Sequence, residues 1–129
     1  MIFLTKEEFV ALNKLVLNRA HSQSFGVQYP QGLDILVEQP QQVIFGRELY
    51  PSIWLKAAFI IQKLTKKHVF VDGNKRTALL SGLTFLKING YKLRFSQEEG
   101  EKVILSVTTS LDNEEIMITL AEWLKAHQV

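Results

Sequence analysis

His68-Val69-Phe70-Val71-Asp72-Gly73-Asn74-Lys75-Arg76-Thr77 interrupts an otherwise helical pattern and gathers most of the chain's chemistry into ten residues. The segment before it has Ser52 as a cap and Ile53, Ala57, Ile60, Ile61 and Leu64 at helical spacing. The segment after it predicts a helix from about Asn74 to Asn89 on Leu79, Leu83 and Leu86, with Gly90 where a left-handed residue ends a helix. Two apolar helices joined by a short polar loop set the expectation of a mainly α-helical fold.

The rest of the chain extends that pattern. Thr5-Lys6-Glu7-Glu8 is a capping box, and Phe9, Leu12, Leu15 and Val16 follow as the stripe of a first helix over residues 6–20. His21 to Gly32 reads as a loop, and Leu33 to Glu38 as a short helix stopped by Pro40. Val43, Ile44 and Phe45 are β-formers ahead of Gly46, so residues 41–50 predict a small β-hairpin or flap. Ser96-x-x-Glu99 and Asp112-x-x-Glu115 are two more capping boxes, opening helices near 97–109 and 113–127. Trp54 and Trp123 sit among apolar neighbours at helical spacing and are expected in the core. With no repeat or linker, residues 1–129 read as a single all-α domain.

Composition bounds the function. At 129 residues, 47% hydrophobic and 22% charged, the chain is long enough for one core and ordinary for a globular protein. A net charge of +2 gives no basic face of the kind that holds nucleic acid. The absence of cysteine excludes disulfides, thiolate nucleophiles and thiolate-bound metal. No basic leader with a long apolar stretch opens the chain, and Ile53 to Leu64 is too short and too charged to span a bilayer. A cytoplasmic protein without membrane contact is the expectation.

The loop carries three chemical signals. A helix beginning near Asn74 presents unpaired N–H groups and a positive dipole end, which attract anions. Lys75 and Arg76 are the wrong sign for that first turn, and a compensating phosphate explains them. Asp72 beside a phosphate site fits a bridging Mg²⁺, and His68 can accept a proton from an attacking hydroxyl near neutral pH. Each feature alone has an ordinary reading as a turn, a solvated patch or a structural histidine. Together they point to phosphoryl or nucleotidyl transfer. Gly73-Asn-Lys-Arg-Thr lacks the spacing of a Walker A loop, no Gly-x-Gly-x-x-Gly or Gly-x-Ser-x-Gly exists, and His21, His68 and His127 are too scattered for zinc.

His68-x-Phe70-x-Asp72-Gly73-Asn74-Lys75-Arg76 resembles the signature of the Fic/Doc (Fido) family, with Lys75 in the position that marks its Doc branch. Thr5-Lys-Glu-Glu-Phe-Val-Ala-Leu-Asn, Tyr50-Pro51-Ser52, Lys56-Ala57-Ala58, Thr77-Ala78-Leu79, Phe85-Leu86 and Asn89-Gly90 also follow the Doc pattern. The resemblance implies a compact Fido helical fold with a small flap. It implies a toxin of a toxin–antitoxin pair, held in check by a Phd-like antitoxin, that uses ATP to phosphorylate elongation factor Tu. On the same resemblance His68 is the general base, Asp72 holds Mg²⁺, and Gly73, Asn74, Lys75 and Arg76 bind the phosphates. Phe70 anchors the loop, and Val43, Ile44 and Phe45 belong to a flap that aligns the target by strand addition.

Two features keep alternatives open. Gly73 is shared with ordinary Fic motifs, whose members transfer AMP, so AMP transfer to a protein hydroxyl stands beside phosphoryl transfer. A catalytically silent Fido binding module is a third reading, against which the intact His68, Asp72 and Arg76 speak. Ser110-x-x-x-Glu114 is followed by Glu115 and does not complete the self-inhibitory motif of some Fic proteins, which favours inhibition by a partner. A plain strand would place His68, Phe70 and Asp72 on one side, so the loop is expected to depart from strand geometry. Tyr29, Phe45, Tyr50, Trp54 and Tyr91 are the aromatics from which an adenine pocket could be drawn.

Overall fold

A computed structural model describes all residues from 1 to 129. Six helices, α1 (Lys6–Arg19), α2 (Pro30–Glu38), α3 (Ile53–Lys67), α4 (Asn74–Ile88), α5 (Gln97–Thr109) and α6 (Glu114–Ala126), carry the fold. A 3₁₀ turn (Gln39–Gln41) leads into strands β1 (Val43–Ile44) and β2 (Arg47–Glu48), which pair antiparallel with Val43 opposite Glu48 and Ile44 opposite Arg47. The all-α expectation with a small hairpin is met. No helix is long and apolar enough to cross a membrane.

Helix α3 is the axle. Eleven of its 15 residues are buried, and it packs against α4, α6, α2 and α5. Phe59, Ile60, Ile61 and Leu64 are almost fully buried, and all six helices contribute side chains to the same apolar cluster. Ser52 caps the helix through its hydroxyl, which accepts from the Leu55 N–H at 3.0 Å. At the other end Lys66 and Lys67 complement the helix dipole. Lys66 Nζ also donates to the carbonyls of Thr108 (3.0 Å) and Ser110 (2.6 Å), tying α3 to the end of α5.

Several sequence expectations shift in detail. Helix α2 begins at Pro30, not Leu33, because proline is well placed in a first helical turn, where its missing N–H has no partner to lose. The buried face of α1 is Phe9, Asn13, Val16 and Leu17, with Leu15 40% exposed. The buried face of α4 is Thr77, Ala78, Ser81, Gly82, Phe85 and Leu86, whereas Leu79 and Leu83 lie at its margin. Small residues win there because α3 lies close: a Cβ on Gly82 would sit 2.5 Å from Ile61 Cδ1. Helix α6 is capped by Asn113, which accepts from the Ile116 N–H at 3.0 Å, while Asp112 pairs with Lys63 at 2.6 Å. Trp54 is buried as expected, and Trp123 is partly buried, 5.1 Å from Phe95 between ring centres.

The hairpin is held at its base and free at its tip. Phe45 (φ 51°) and Gly46 (φ 75°) are both left-handed, the geometry of a tight two-residue hairpin turn. Phe45 pays for that conformation with no packing at all, being fully exposed. At the base, the buried Lys56 ammonium donates to Glu48 Oε1 at 3.1 Å and to the Tyr50 carbonyl. A buried cation needs such acceptors, and they fix the hairpin to α3.

Two stability predictions follow from these contacts. Gly82→Ala should destabilise the fold by about 1–3 kcal/mol through overpacking on Ile61. In an Ile61→Ala background the same change should become neutral or stabilising, since alanine's helix propensity then acts unopposed; urea unfolding of the four proteins measures the cycle. At the start of α5, the Ser96 backbone N–H, the Ser96 hydroxyl and His127 hold the Glu99 carboxyl below its usual range. A depressed carboxyl stabilises the fold above its unfolded value and loses that contribution as pH falls through its folded value. The stability gap between wild type and Glu99→Gln should therefore narrow on acidification; unfolding midpoints at neutral and acid pH test it.

Candidate functional site

The loop between α3 and α4 is shaped by two left-handed residues. His68 ends α3 at φ 49° and Gly73 precedes α4 at φ 74°. The turn at His68 takes its side chain out of the alternation that follows, as the sequence required. Val69 and Phe70 then run inward and are buried, whereas His68 and Asp72 stay exposed. Residues 69–71 pair with the segment after α1: Gln28 N–H and Tyr29 N–H donate to the Val69 carbonyl (2.8 and 3.0 Å), and Val71 N–H donates to the Gly26 carbonyl at 3.0 Å.

Asn74 locks this shape. Its side-chain oxygen accepts from the Phe70 N–H at 2.9 Å and its amide donates to the Phe70 carbonyl at 2.8 Å. The side chain is thus engaged by the loop, and what Asn74 offers the cleft is its backbone N–H. This narrows the sequence expectation that Asn74 binds the phosphates, because its side chain is committed to Phe70. Gly73 is needed twice over, for its positive φ and because a Cβ would approach Leu17 Cδ2 to 3.1 Å.

Residues that the sequence reading passed over support the loop from α1 and its following turn. Asn13 is 98% buried, and its amide donates to the Asp72 carbonyl (2.9 Å) and the Thr77 hydroxyl (3.2 Å). A polar residue on the apolar stripe, four after Phe9 and three before Val16, was the available signal. The Ser22 hydroxyl donates to Asp72 Oδ2 at 3.1 Å, and the Gly73 N–H donates to Oδ1 at 2.8 Å. These two bonds orient the carboxylate and leave lone pairs on both oxygens. Thr65 and Thr108, also unmentioned by the sequence reading, line the cleft from α3 and α5.

His68, Asp72, Gly73, Asn74, Lys75 and Arg76 come together around one open cleft of about 480 Å³. The first turn of α4 has no side-chain cap and no acidic residue, and the N–H groups of Asn74, Lys75 and Arg76 have no protein acceptor. Lys75 and Arg76 form no ion pair. Three free N–H groups, a helix dipole and two free cations fit a polyphosphate. Asp72 is the only carboxylate in the cleft, and no cluster of three His, Asp or Glu exists to build a cage for a metal. One carboxylate still suits Mg²⁺, which takes most of its ligands from water and phosphate.

Val43, Ile44 and Phe45 are not brought to this cleft. They are exposed on the hairpin, whose anchor Lys56 lies twelve residues before His68 on the same helix. That spacing is about 18 Å along the axis.

Comparison with known proteins adds a lineage to this geometry. The profile of the Fic/DOC family matches residues 3–86, which include the whole His68–Arg76 loop. Toxin Doc of Mycolicibacterium smegmatis is 40% identical over 99 residues, covering 74% of this chain and 76% of that protein. Protein kinase doc of Escherichia phage P1 is 26% identical over 120 residues, covering 93% of this chain and 94% of that protein.

Asn74→Ala should leave the Phe70 N–H and carbonyl unpaired in a largely buried place and cost about 1–3 kcal/mol. Asn74→Asp should lose the bond to the Phe70 carbonyl while keeping the acceptor for its N–H. Hydrogen exchange at the Phe70 amide reads the difference: fast in the alanine variant, protected in the aspartate variant and in wild type.

Proposed function

This chain belongs to the Fic/Doc family, on its Doc-type side, and from that premise we propose that it is a Doc-like toxin. In this reading it transfers the γ-phosphoryl of ATP to a Ser or Thr hydroxyl of a translation factor, elongation factor Tu, in the cytoplasm. The observation that carries the proposal is the joining of an exposed histidine, an oriented carboxylate and an unpaired cationic helix N-terminus around one cleft.

The residues divide the work by their chemistry. His68 accepts the proton from the target hydroxyl as its oxygen bonds to the γ-phosphorus, and ADP leaves with the electrons of the broken P–O bond. Asp72, steered by Ser22 and the Gly73 N–H, would hold Mg²⁺, which would supply positive charge beside the phosphates. The N–H groups of Asn74, Lys75 and Arg76, with the side chains of Lys75 and Arg76, hold the phosphate chain in line. Phe70 fixes the loop from within the core. Val43, Ile44 and Phe45 present a short exposed edge on which an extended target could add a strand. A Phd-like antitoxin would silence the site in trans by covering the cleft.

The name of the phage relative, a protein kinase, supports the choice of the γ-phosphoryl. AMP transfer is the second reading, favoured by Gly73 at the position shared with AMP-transferring Fic motifs. A silent binding module has no use for an exposed His68 lining the cleft.

The test uses the folded protein, Mg²⁺, a bacterial lysate and ATP labelled at the α or the γ phosphorus. The expected result is a γ-labelled band at the mass of elongation factor Tu, reduced about 100- to 10,000-fold in a folded His68→Ala protein. An α-labelled band would replace phosphoryl transfer by AMP transfer. Undiminished labelling by His68→Ala would remove the histidine from the mechanism.

A further inference from the structure

We propose that residues 91–95, which follow the end of α4 farthest from the His68 cleft, form a docking edge for a partner protein. The partner supplies an acidic, extended segment that adds to this edge as a strand, whatever the chemistry at His68.

Tyr91-Lys92-Leu93-Arg94-Phe95 alternates as a strand does: Tyr91, Leu93 and Phe95 are half-buried, while Lys92 and Arg94 are exposed. One side of the run is already paired. The Val129 N–H donates to the Lys92 carbonyl and the Arg94 N–H donates to the His127 carbonyl, both at 2.9 Å. Leu93 therefore faces Gln128 antiparallel without exchanging a hydrogen bond with it. In such a pair the N–H and carbonyl of the central residue point to the opposite edge. On that edge the N–H and carbonyl of Leu93 and the N–H of Phe95 have no partner in the protein. All five residues line a cavity of about 430 Å³, together with Leu83 and Lys87 of α4.

Charge selects the occupant. Lys87, Lys92 and Arg94 form no ion pair, and no carboxylate side chain lines the cavity. A second copy of the chain would bring like charges together, which is how lysines guard an exposed edge. An acidic segment neutralises them. Free backbone donors and acceptors in a row suit a polypeptide rather than a nucleic acid, which has no backbone amides to continue a ladder. The alternation then sets the pattern of the segment. Apolar side chains fall on the side of Tyr91, Leu93 and Phe95, and acidic ones beside Lys92 and Arg94. Lys87 lies thirteen residues after Asn74 on α4, about 20 Å along the axis, so the segment docks without entering the cleft.

The experiment is calorimetric titration with a short peptide alternating glutamate and valine, against wild type and the double variant Lys92→Glu, Arg94→Glu. Both side chains are exposed, and only the backbones of these residues bond to the C-terminal segment, so the variant keeps its fold. The peptide should bind wild type and lose at least about tenfold in affinity to the variant. Antiparallel addition sets a valine opposite Leu93 and uses its N–H, so N-methylation of the valines should also cost at least about tenfold. A peptide with lysine in place of glutamate should not bind. Absence of binding to wild type, or an N-methylated peptide that binds as tightly as its parent, overturns strand addition. Undiminished affinity in the variant, or binding of the lysine peptide, overturns the acidic partner. A single-stranded oligonucleotide that binds where the glutamate peptide does not overturns the proposal and makes the surface a nucleic-acid site.

Discussion

Two hydrogen bonds from one amide, Asn74 to the N–H and carbonyl of Phe70, hold together everything the loop does. The chain must leave a buried helix, turn, and start a second buried helix within six residues. Regular structure cannot supply the partners for those backbone groups, and burial makes each unpaired one costly. The Asn74 amide stands in for a strand on one side of Phe70, and residues 26–29 stand in on the other. With Phe70 pinned in the core, His68 and Asp72 have only the outside to occupy. The exposure of His68 and Asp72 is thus a consequence of where Phe70 is buried.

The same economy explains the unfavourable first turn of α4. Acidic residues open α1, α5 and α6, where they offset the helix dipole, but α4 opens with Asn74-Lys75-Arg76. Its N–H groups are left free, and Asp72, the nearest carboxylate, is turned aside by Ser22 and the Gly73 N–H. Helix α4 is kept in place by its other face, where Thr77, Ala78, Ser81 and Gly82 lie against α3 and α1. Packing on one face offsets the electrostatic cost at the tip, and the uncapped, cationic first turn of α4 lies where a ligand could repair it.

What was legible in the sequence follows from the range of the interactions involved. Capping boxes at Thr5 and Ser96 act over three residues, and both helices start where those residues put them. The hairpin turn is equally local, and Phe45-Gly46 marks it. The leucines of α4 predict its buried face only at Leu86, because leucines outweigh glycine in any reading of hydrophobic pattern. Gly82 matters only once Ile61 is known to lie against it. Asp112 resembles a cap as well as Asn113 does, and the choice is made by Lys63, 49 residues away. At the site, the motif residues could be named in advance because they are contiguous. Asn13 and Ser22 could not, because they reach Asp72 across 59 and 50 residues through the fold.

The remaining constraint is the length of α3. His68 ends this helix, and Lys56, near its start, is the residue that grips the hairpin through Glu48 and Tyr50. The two are therefore the ends of one rigid spacer of about 18 Å. On the proposed reading, in which a target pairs with the hairpin and its hydroxyl meets His68, an extended chain advancing about 3.3 Å per residue would cover that length in roughly five or six residues. The spacer keeps the hairpin's anchor and His68 apart while joining them mechanically, because α3 is held along its length: eleven of its 15 residues are buried.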